Sequence, residues 1–153
     1  LAYRHIPPTF DPLSTRGAEL HGGRWNKPGT PALYLALSME TARAEFDRLV
    51  DLRVQAASDL HPRNLVRVQL NLAEVVDLQD DSVLRELGAK DGRYENLSTT
   101  LCQAAGEMVA GTGASGLLAP SVTGIGTILV SFPQNFTAED EANLIDQTEV
   151  DWT

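Results

Sequence analysis

Short apolar and alternating runs along the chain predict several β-strands. Strict alternation indicates a half-buried strand, and a short apolar run bounded by turn residues indicates a buried one. Such runs span residues 2–6, 32–37, 64–72, 116–121 and 127–132, and residues 74–78 either extend the third run or bend away from it. Within the second run, Tyr34 and Ala36 should face the side of the sheet opposite Leu33 and Leu35, because successive side chains of a strand alternate.

The helix predicted after Ser38 carries an acidic residue in an unusual place. Ser38 is a good N-cap, and helical spacing of apolar residues continues to about residues 51–54. Glu45 falls within the apolar face, where a carboxylate is costly unless it is paired or hydrogen-bonded. The residues alone leave two readings open: Glu45 extends to water at the edge of the face, or it belongs to a site.

Two more helices are predicted in the second half of the chain. Asp80 should cap a short helix that runs to Leu87 and stops at Gly88. Helical spacing over residues 96–110 predicts another helix, and Gly111 suits the left-handed position that closes it. The predicted apolar face consists of Leu97, Leu101, Ala104, Ala105, Met108 and Val109.

The segment before the second predicted strand is rich in turn formers. Residues 9–23 therefore predict a loop, and a loop of this length is either functional or a plain surface excursion. Gly22 and Gly23 would allow the main chain to approach a ligand closely. Arg24 and Trp25 follow, and Trp25 is expected to be a packing anchor beneath the loop.

Composition bounds the class of protein. The 153 residues fit one domain, and 42% hydrophobic and 22% charged residues are ordinary for a soluble globular protein. Strands and helices follow one another without regular βαβ alternation, which predicts an α+β fold. The net charge of −9 disfavours binding to nucleic acid or to anionic membranes. No apolar run approaches the roughly 20 residues that span a bilayer.

The single cysteine and the acidic C-terminal segment carry weaker signals. Cys102 cannot form an internal disulfide, so a cytoplasmic location is expected. It lies off the apolar face of its predicted helix and is expected to be structural. Residues 133–153 are acidic, which is typical of a solvated face or a mobile tail, and Val150 and Trp152 could form a last edge strand.

Several familiar kinds of site are absent from the sequence. The histidines lack the spacing of a metal site, and neither an HExxH nor a CxxC motif is present. There is no GxSxG hydrolase turn and no phosphate-binding GxxxxGK(S/T) loop. GTGASG at residues 111–116 shares only its glycines with a dinucleotide-binding motif, because it precedes a strand instead of opening a helix.

The remaining chemical groups are arginines, a tyrosine, a carboxylate and a hydroxyl. That set fits the cleavage of a glycosidic bond at a ribose, where a fixed carboxylate stabilises the positive charge that grows in the transition state. A guanidinium can hold a diphosphate, and a tyrosine ring offers a face to a flat base. A non-catalytic nucleotide-sensing module and a structural interaction domain remain alternatives.

The chain resembles the RES-domain family, which is named for its Arg, Glu and Ser. The resemblance rests on YR at 3–4, GGRWN at 22–26, PG at 28–29, YLAL at 34–37, AEF at 44–46 and GLLAPS at 116–121. It implies that residues 1–153 form one domain with the fold of diphtheria-toxin-type ADP-ribosyltransferases, a mixed β core with flanking helices. It also implies a bacterial type II toxin that consumes NAD⁺, needs no metal and has a cognate Xre-like antitoxin as its partner.

The resemblance assigns roles to five residues of this sequence. Arg4 and Arg24 would hold the phosphates and the nearby ribose of NAD⁺, and Tyr34 would stack on or orient the nicotinamide. Glu45 would bind the nicotinamide ribose and stabilise the oxocarbenium ion. Ser121 would hydrogen-bond the ligand, or orient Glu45 or an arginine. Glu45, Arg24 and Tyr34 are thus the expected catalytic residues, and Arg4, Arg24, Tyr34 and Ser121 the expected NAD⁺-binding residues.

Two expectations for the acceptor of ADP-ribose follow from the resemblance. The main one is transfer to a protein, as in a mono-ADP-ribosyltransferase, which implies a protein target. The alternative is an NAD⁺ glycohydrolase or phosphorylase that depletes NAD⁺ with water or phosphate. No residue of the sequence decides between them.

Overall fold

The strands in the described part of the chain form one seven-stranded mixed sheet. The computed structural model describes residues 1–53 and 57–153. The strands are β1 (Ala2–Ile6), β2 (Leu33–Ala36), β3 (Arg63–Asn71), β4 (Val75–Asp77), β5 (Gly116–Pro120), β6 (Thr127–Ser131) and β7 (Glu141–Val150). Their order across the sheet is β4-β5-β6-β2-β1-β3-β7, and every described pair is antiparallel except β4 with β5.

Helices are inserted between the strands without regular βαβ alternation. They are α1 (Arg16–His21), α2 (Met39–Arg53), α3 (Asp81–Glu86) and α4 (Thr99–Gly111). The α+β prediction is therefore confirmed, whereas the likeness to diphtheria-toxin-type enzymes stays a prediction. The prediction of a loop over residues 9–23 missed α1, because no residue of this short helix is fully buried and it has no apolar face to detect.

The predicted helix boundaries are largely confirmed where a polar cap marks them. The side chain of Asp80 accepts a hydrogen bond from Ser82 N at the start of α3, and Gly88 follows the helix with a φ of +110°. For α4 the predicted range of 96–110 is wrong at both ends, since the helix spans Thr99–Gly111 with Ser98 as its N-cap, and the left-handed residue lies two positions later than predicted. Gly111 is still helical, and Gly113 takes the left-handed conformation with a φ of +88°.

The buried face of α4 differs from the predicted one. Cys102, Gly106 and Val109 are its buried residues, whereas Leu101 and Met108 are 46% and 71% exposed. Cys102 thus lies on the buried face, and its expected structural role fits its full burial. The prediction failed because the helix packs a glycine closely against the loop that contains Trp25, a contact that apolar periodicity does not report.

The acidic C-terminal segment forms most of one edge of the sheet. β7 pairs with β3 along its whole length, and a register shift lies between Arg67 and Val68. Both faces of β7 are largely exposed, which explains its polar composition, and Asp146 pairs with Arg67 across the two strands. Trp152 lies beyond the strand and packs against Phe46, with ring centroids 5.3 Å apart. Residues 74–78 bend away from β3 and supply β4 at the opposite edge.

Each face of the sheet has its own hydrophobic cluster, because side chains alternate along β5 and β6. The first cluster joins the sheet to α3, α4 and the segment around Trp25, and it includes Leu117, Val130 and Phe132. The second includes Leu33, Leu35, Val66, Val68 and Leu129 on the other face. α2 packs on β1 and β2, and α4 packs on β5.

The sheet opens between β1 and β2. These strands share one register pair, Tyr3 with Ala36, whereas β1 pairs with β3 through all five of its residues. Consecutive residues of both strands line the same cavity, 3–5 from β1 and 34–36 from β2. A continuous sheet would send alternate side chains to opposite faces. The strands therefore part beside their single pair, and the cavity occupies the gap.

Replacing Gly106 with alanine tests the close contact between α4 and the loop. A Cβ at this position would lie 1.7 Å from Trp25 O, so the helix would have to move. We expect Gly106→Ala to lower the free energy of unfolding by about 1–3 kcal/mol, as overpacking usually does. Urea denaturation measures this value.

Gly111→Ala is the matched control, since it lies in the same helix and its added Cβ would meet nothing within 4 Å. We expect it to be neutral or to stabilise the protein by up to about 1 kcal/mol through helix propensity. Equal stability of the two variants would contradict the proposed packing of α4 on Trp25.

Candidate active site

The gap between β1 and β2 is a ligand-sized cleft. Its volume is about 460 Å³, within the range of roughly 300–1,000 Å³ that is usual for small-molecule sites. Four of the five predicted site residues line it, namely Arg4, Arg24, Tyr34 and Glu45. The fifth, Ser121, is fully buried and reaches the cleft through its contact with Glu45.

The turn that contains Arg24 is built around the buried side chain of Asn26. The two N–H groups of the Asn26 amide reach three backbone carbonyls, those of Ala18, Lys27 and Thr30, at 2.9, 3.2 and 2.9 Å, so one proton is shared between two of them. Its amide oxygen accepts from the Tyr34 hydroxyl at 2.8 Å. One side chain thereby joins α1, the turn and β2. The sequence motif contained Asn26, but the residue type alone assigned it no role.

Close packing requires glycine next to this turn. A Cβ on Gly23 would lie 2.6 Å from the hydroxyl oxygen of Tyr34, and Gly22 has a φ of +72°. The backbone at Gly23 does make a close approach, but its partner is Tyr34 of the protein itself, and a close approach of these glycines to a ligand stays a prediction.

Two polar residues of α4 fasten the same turn from the other side. Gln103 donates to Gly23 O at 2.9 Å. The Glu107 carboxylate accepts from Lys27 N at 2.8 Å and from the Thr30 hydroxyl at 2.9 Å. Sequence reasoning missed both residues, because polar positions on a helix carry no signal until their partner segment is known.

Arg24 is anchored at one nitrogen while it lines the cleft. Its Nη1 donates to Leu97 O at 3.0 Å, just before α4 begins. The guanidinium also lies beside the thiol of Cys102. Burial raises the pKa of this thiol, and Arg24 only partly opposes the effect. A buried, protonated thiol supports the structural role expected for Cys102.

Tyr34 presents its ring to the cleft, because its hydroxyl is already engaged. The hydroxyl donates its single proton to Asn26 and accepts from Trp25 N at 2.9 Å. Burial raises the pKa of Tyr34, and the hydrogen bonds from the turn only partly oppose this effect. Tyr34 is therefore neutral, and contact with a ligand falls to the aromatic face.

Arg4 holds the loop that precedes α1. Its Nη1 donates to Pro12 O at 3.0 Å and to Ser14 O at 3.2 Å, so its described hydrogen bonds leave the other two nitrogens for the cleft. Burial lowers the pKa of Arg4, and Asp11 opposes this effect. A guanidinium stays protonated in proteins under such conditions, so Arg4 is a cation at the wall of the cleft.

Glu45 is held in place by a short hydrogen bond. Its Oε1 accepts from the hydroxyl of Ser121 at 2.6 Å. Ser38 caps α2 as predicted, since its hydroxyl accepts from Thr41 N at 3.0 Å, and the helix then carries Glu45 to the cleft in its second turn. Of the two readings that the sequence left open, half-burial with a bonded carboxylate at a cavity fits a site residue.

His5 is a cleft residue that sequence reasoning did not select. Its Nδ1 is buried and has no hydrogen-bond partner within the described chain. Burial lowers the pKa of His5 to about 4, and the charges of Arg63 and Arg4 add to this effect. The only sequence signal was its position beside Arg4 in the first strand. At neutral pH it presents an uncharged imidazole.

The charge of the cleft is opposite to that of the whole protein. Arg4 and Arg24 outnumber Glu45 among the charged residues that line it, although the net charge of the chain is −9.

Over residues 1–53 and 57–153, no cluster of three His, Cys, Asp or Glu side chains could hold a metal ion. Within the same part of the chain, no helix is long and apolar enough to cross a membrane. The cleft thus offers two guanidinium groups and one fixed carboxylate.

Fold and site together define an α+β protein with one preorganised cleft whose charged residues suit an anionic ligand. The sequence model of the RES domain family matches residues 1–153, and the chain belongs to this family.

The chain is also similar to proteins named NAD(+) phosphorylase. NAD(+) phosphorylase MbcT of Mycobacterium tuberculosis (strain ATCC 25618 / H37Rv) is 28% identical over 140 residues, covering 86% of this chain and 73% of the relative. MbcT of Mycobacterium bovis (strain ATCC BAA-935 / AF2122/97) matches to the same extent. The crystal structure of the M. tuberculosis MbcT–MbcA toxin–antitoxin complex matches with a TM-score of 0.85 and 25% identity, over 99% of this chain and 84% of that one.

The buried imidazole predicts a pH dependence of stability. The pKa of His5 falls from 6.5 to about 4 on folding, so the unfolded chain binds more protons between these values. Stability should therefore fall as the pH is lowered from about 6.5 towards 4, by up to about 3 kcal/mol. Urea denaturation of the wild type and of His5→Gln at several pH values measures this effect.

His5→Gln should make the free energy of unfolding nearly independent of pH between about 4 and 6.5. His21→Gln, at the exposed end of α1, should keep the wild-type pH dependence. Loss of stability below pH 4 has another source, because hydrogen bonds from Ser115, Thr137 and Ala73 lower the pKa of Asp140 to about 2. An unchanged slope between pH 4 and 6.5 in His5→Gln would show that His5 is not the responsible group.

Proposed function

We propose that the protein is an NAD⁺-consuming toxin that cleaves the nicotinamide–ribose bond and transfers the ADP-ribosyl group to inorganic phosphate. The observation that carries the proposal is the Ser121-bound carboxylate of Glu45 in a cleft with Arg4 and Arg24. The relatives named NAD(+) phosphorylase support phosphate as the acceptor. They favour this alternative over transfer to a protein, which the family resemblance alone had led us to expect.

The reaction needs little beyond charge stabilisation and positioning. The C–N bond between ribose and nicotinamide breaks, and its electron pair neutralises the pyridinium nitrogen of the leaving group. The ribose becomes oxocarbenium-like, and the carboxylate of Glu45 stabilises this charge more than it stabilises NAD⁺ itself. An oxygen of phosphate then bonds to the anomeric carbon, so atoms and charges balance without a metal.

The other cleft residues would bind and orient the substrate. Arg4 and Arg24 line the cavity as fixed cations and would hold the pyrophosphate, for which guanidinium geometry is well suited. The ring of Tyr34 would pack against the nicotinamide, since its hydroxyl is bonded to Asn26. A cationic cleft would also favour a second anion, the attacking phosphate.

The biological setting is proposed on the same basis. A toxin that depletes NAD⁺ requires a neutralising partner, and the similar structure is that of a toxin–antitoxin complex. We expect a cognate antitoxin of the Xre-like type and action in the cytoplasm. Neither nucleic acid nor a membrane is expected as a direct partner, and a protein target of ADP-ribosylation becomes the alternative.

Replacing the carboxylate of Glu45 with an amide tests the catalytic proposal. Glu45→Gln keeps the size of the side chain but removes its charge, so nicotinamide release should fall by about 10²-fold or more. Liquid chromatography of NAD⁺ and nicotinamide measures the rate. Glu40→Gln, on the exposed part of the same helix, should keep the wild-type rate.

Retained turnover in a folded Glu45→Gln protein would contradict the role of Glu45. Calorimetric binding of NAD⁺ without any nicotinamide release by the wild type would favour a sensing module. A structural interaction domain would be favoured if Arg24→Ala and Glu45→Gln both left toxicity and partner binding unchanged.

The acceptor is tested by supplying ³²P-labelled NAD⁺ in three conditions. With phosphate present we expect a phosphorylated ADP-ribose product, and without phosphate the rate should fall strongly. Release of ADP-ribose at an equal rate in phosphate-free buffer would indicate hydrolysis. Labelled protein bands after addition of a cell lysate would restore the expectation of a protein acceptor.

A further inference from the structure

We infer that Thr123 is a positioning residue of the same site, because it supplies the proton that forces Ser121 to donate to Glu45. The inference rests on the proposed function for its catalytic meaning. Its structural basis is a chain of three side chains, in which the Ser121 hydroxyl oxygen lies 2.6 Å from Glu45 Oε1 and 2.6 Å from the hydroxyl oxygen of Thr123.

The direction of this chain follows from counting protons. An ionised carboxylate only accepts hydrogen bonds, and a serine hydroxyl has one proton to give. Because Ser121 gives that proton to Glu45, the contact between the two hydroxyls must use the proton of Thr123. Thr123 N also donates to Ser121 Oγ at 3.2 Å. Ser121 thus donates once and accepts twice, which completes its hydrogen-bonding capacity.

The reverse direction is disfavoured by the same geometry. If Ser121 donated to Thr123, its lone pairs would face Glu45 Oε1 across 2.6 Å without a proton between them. Such a contact is repulsive for an ionised carboxylate. The hydroxyl of Thr123 therefore fixes Ser121 in the donating orientation, and successive bonds polarise one another, which strengthens the bond to Glu45.

The loop after β5 holds Thr123 in this position. Ile125 N donates to the Thr123 hydroxyl oxygen at 3.2 Å, and Ser121 N donates to Gly126 O at 3.0 Å. Gly126 packs so closely on Thr41 that a Cβ would lie 2.0 Å from its hydroxyl oxygen. Thr41 is in the first turn of α2, the helix that carries Glu45. The loop and the helix are therefore set against each other.

The loop also reaches the cleft directly. Val122, between the two hydroxyl residues, lines the cavity, and Thr123 itself is only partly buried. A residue that orders Ser121 and Glu45 from this position would act on the reaction through Glu45, without contact with the substrate. Its removal should lower kcat more than it raises KM.

Thr123→Val tests the inference, since valine keeps the branched shape and removes the hydroxyl. We expect kcat for nicotinamide release to fall about tenfold, as loss of one bond in a polarised network would cause, with KM changed by less than about twofold. Thr123→Ser restores a hydroxyl and should keep kcat within about twofold of the wild type. Thr127→Val is the control: its hydroxyl donates to Gln79, away from Glu45, and its loss should leave kcat unchanged.

Three kinetic outcomes would overturn the inference. They are an unchanged kcat in Thr123→Val, a rise in KM with kcat retained, and equal loss of activity in Thr123→Ser and Thr123→Val.

Crystal structures of the same variants separate this inference from the proposed function. In Thr123→Val, Ser121 should take more than one rotamer or leave Glu45, whereas Thr123→Ser should keep the short bond. An unchanged bond in Thr123→Val overturns the inference whatever the enzyme does. Absence of nicotinamide release by the wild type would instead reject the proposed function, and the structures would still decide the role of Thr123.

Discussion

The hydrogen bond from Ser121 to Glu45 is the contact on which the cleft depends. It joins the end of β5 to the second turn of α2 and holds a half-buried carboxylate at the wall of a cavity. A carboxylate in that position without a donor would lose hydration and gain nothing in return. The bond therefore explains both why an acidic residue is tolerated in an otherwise apolar helix face and why its carboxylate is held at the cleft.

The second constraint is the limited pairing of β1 and β2, which share a single register pair, Tyr3 with Ala36, beside the cleft. Buried backbone groups need partners, and here side chains supply them to the segments around the gap. Arg4 bonds to the loop before α1, and Asn26 bonds to three carbonyls around the turn that carries Arg24. Several polar residues of the family motif thus build the opening itself.

The sequence predicted those parts of the fold whose causes are local. Ser38 marks the start of α2, and the spacing that follows places Glu45 on its apolar face, so both could be read without a partner. The buried face of α4 could not be predicted, because Gly106 and Cys102 are covered by a loop that is distant in the sequence. The hydrogen bond from Gln103 to Gly23 joins the helix to this loop across 80 residues. The residue types of the site came from the family resemblance. Their roles as donors and acceptors, including those of Tyr34 and Thr123, depend on distances that no sequence pattern contains.

Electrostatics explains how an acidic protein can present a cleft that suits an anionic ligand. Charges far from the cleft act through water and are screened beyond roughly 8–10 Å at physiological salt. Arg4 and Arg24 lie at the cavity wall, where part of the solvent is excluded and their attraction is screened less. The net charge of −9 therefore opposes distant anions weakly, while a phosphate inside the cleft meets two fixed cations. Glu45 is the one anion among the residues that line the cleft, and in the proposed reaction it would face a positive charge that exists on the sugar only while the bond is breaking.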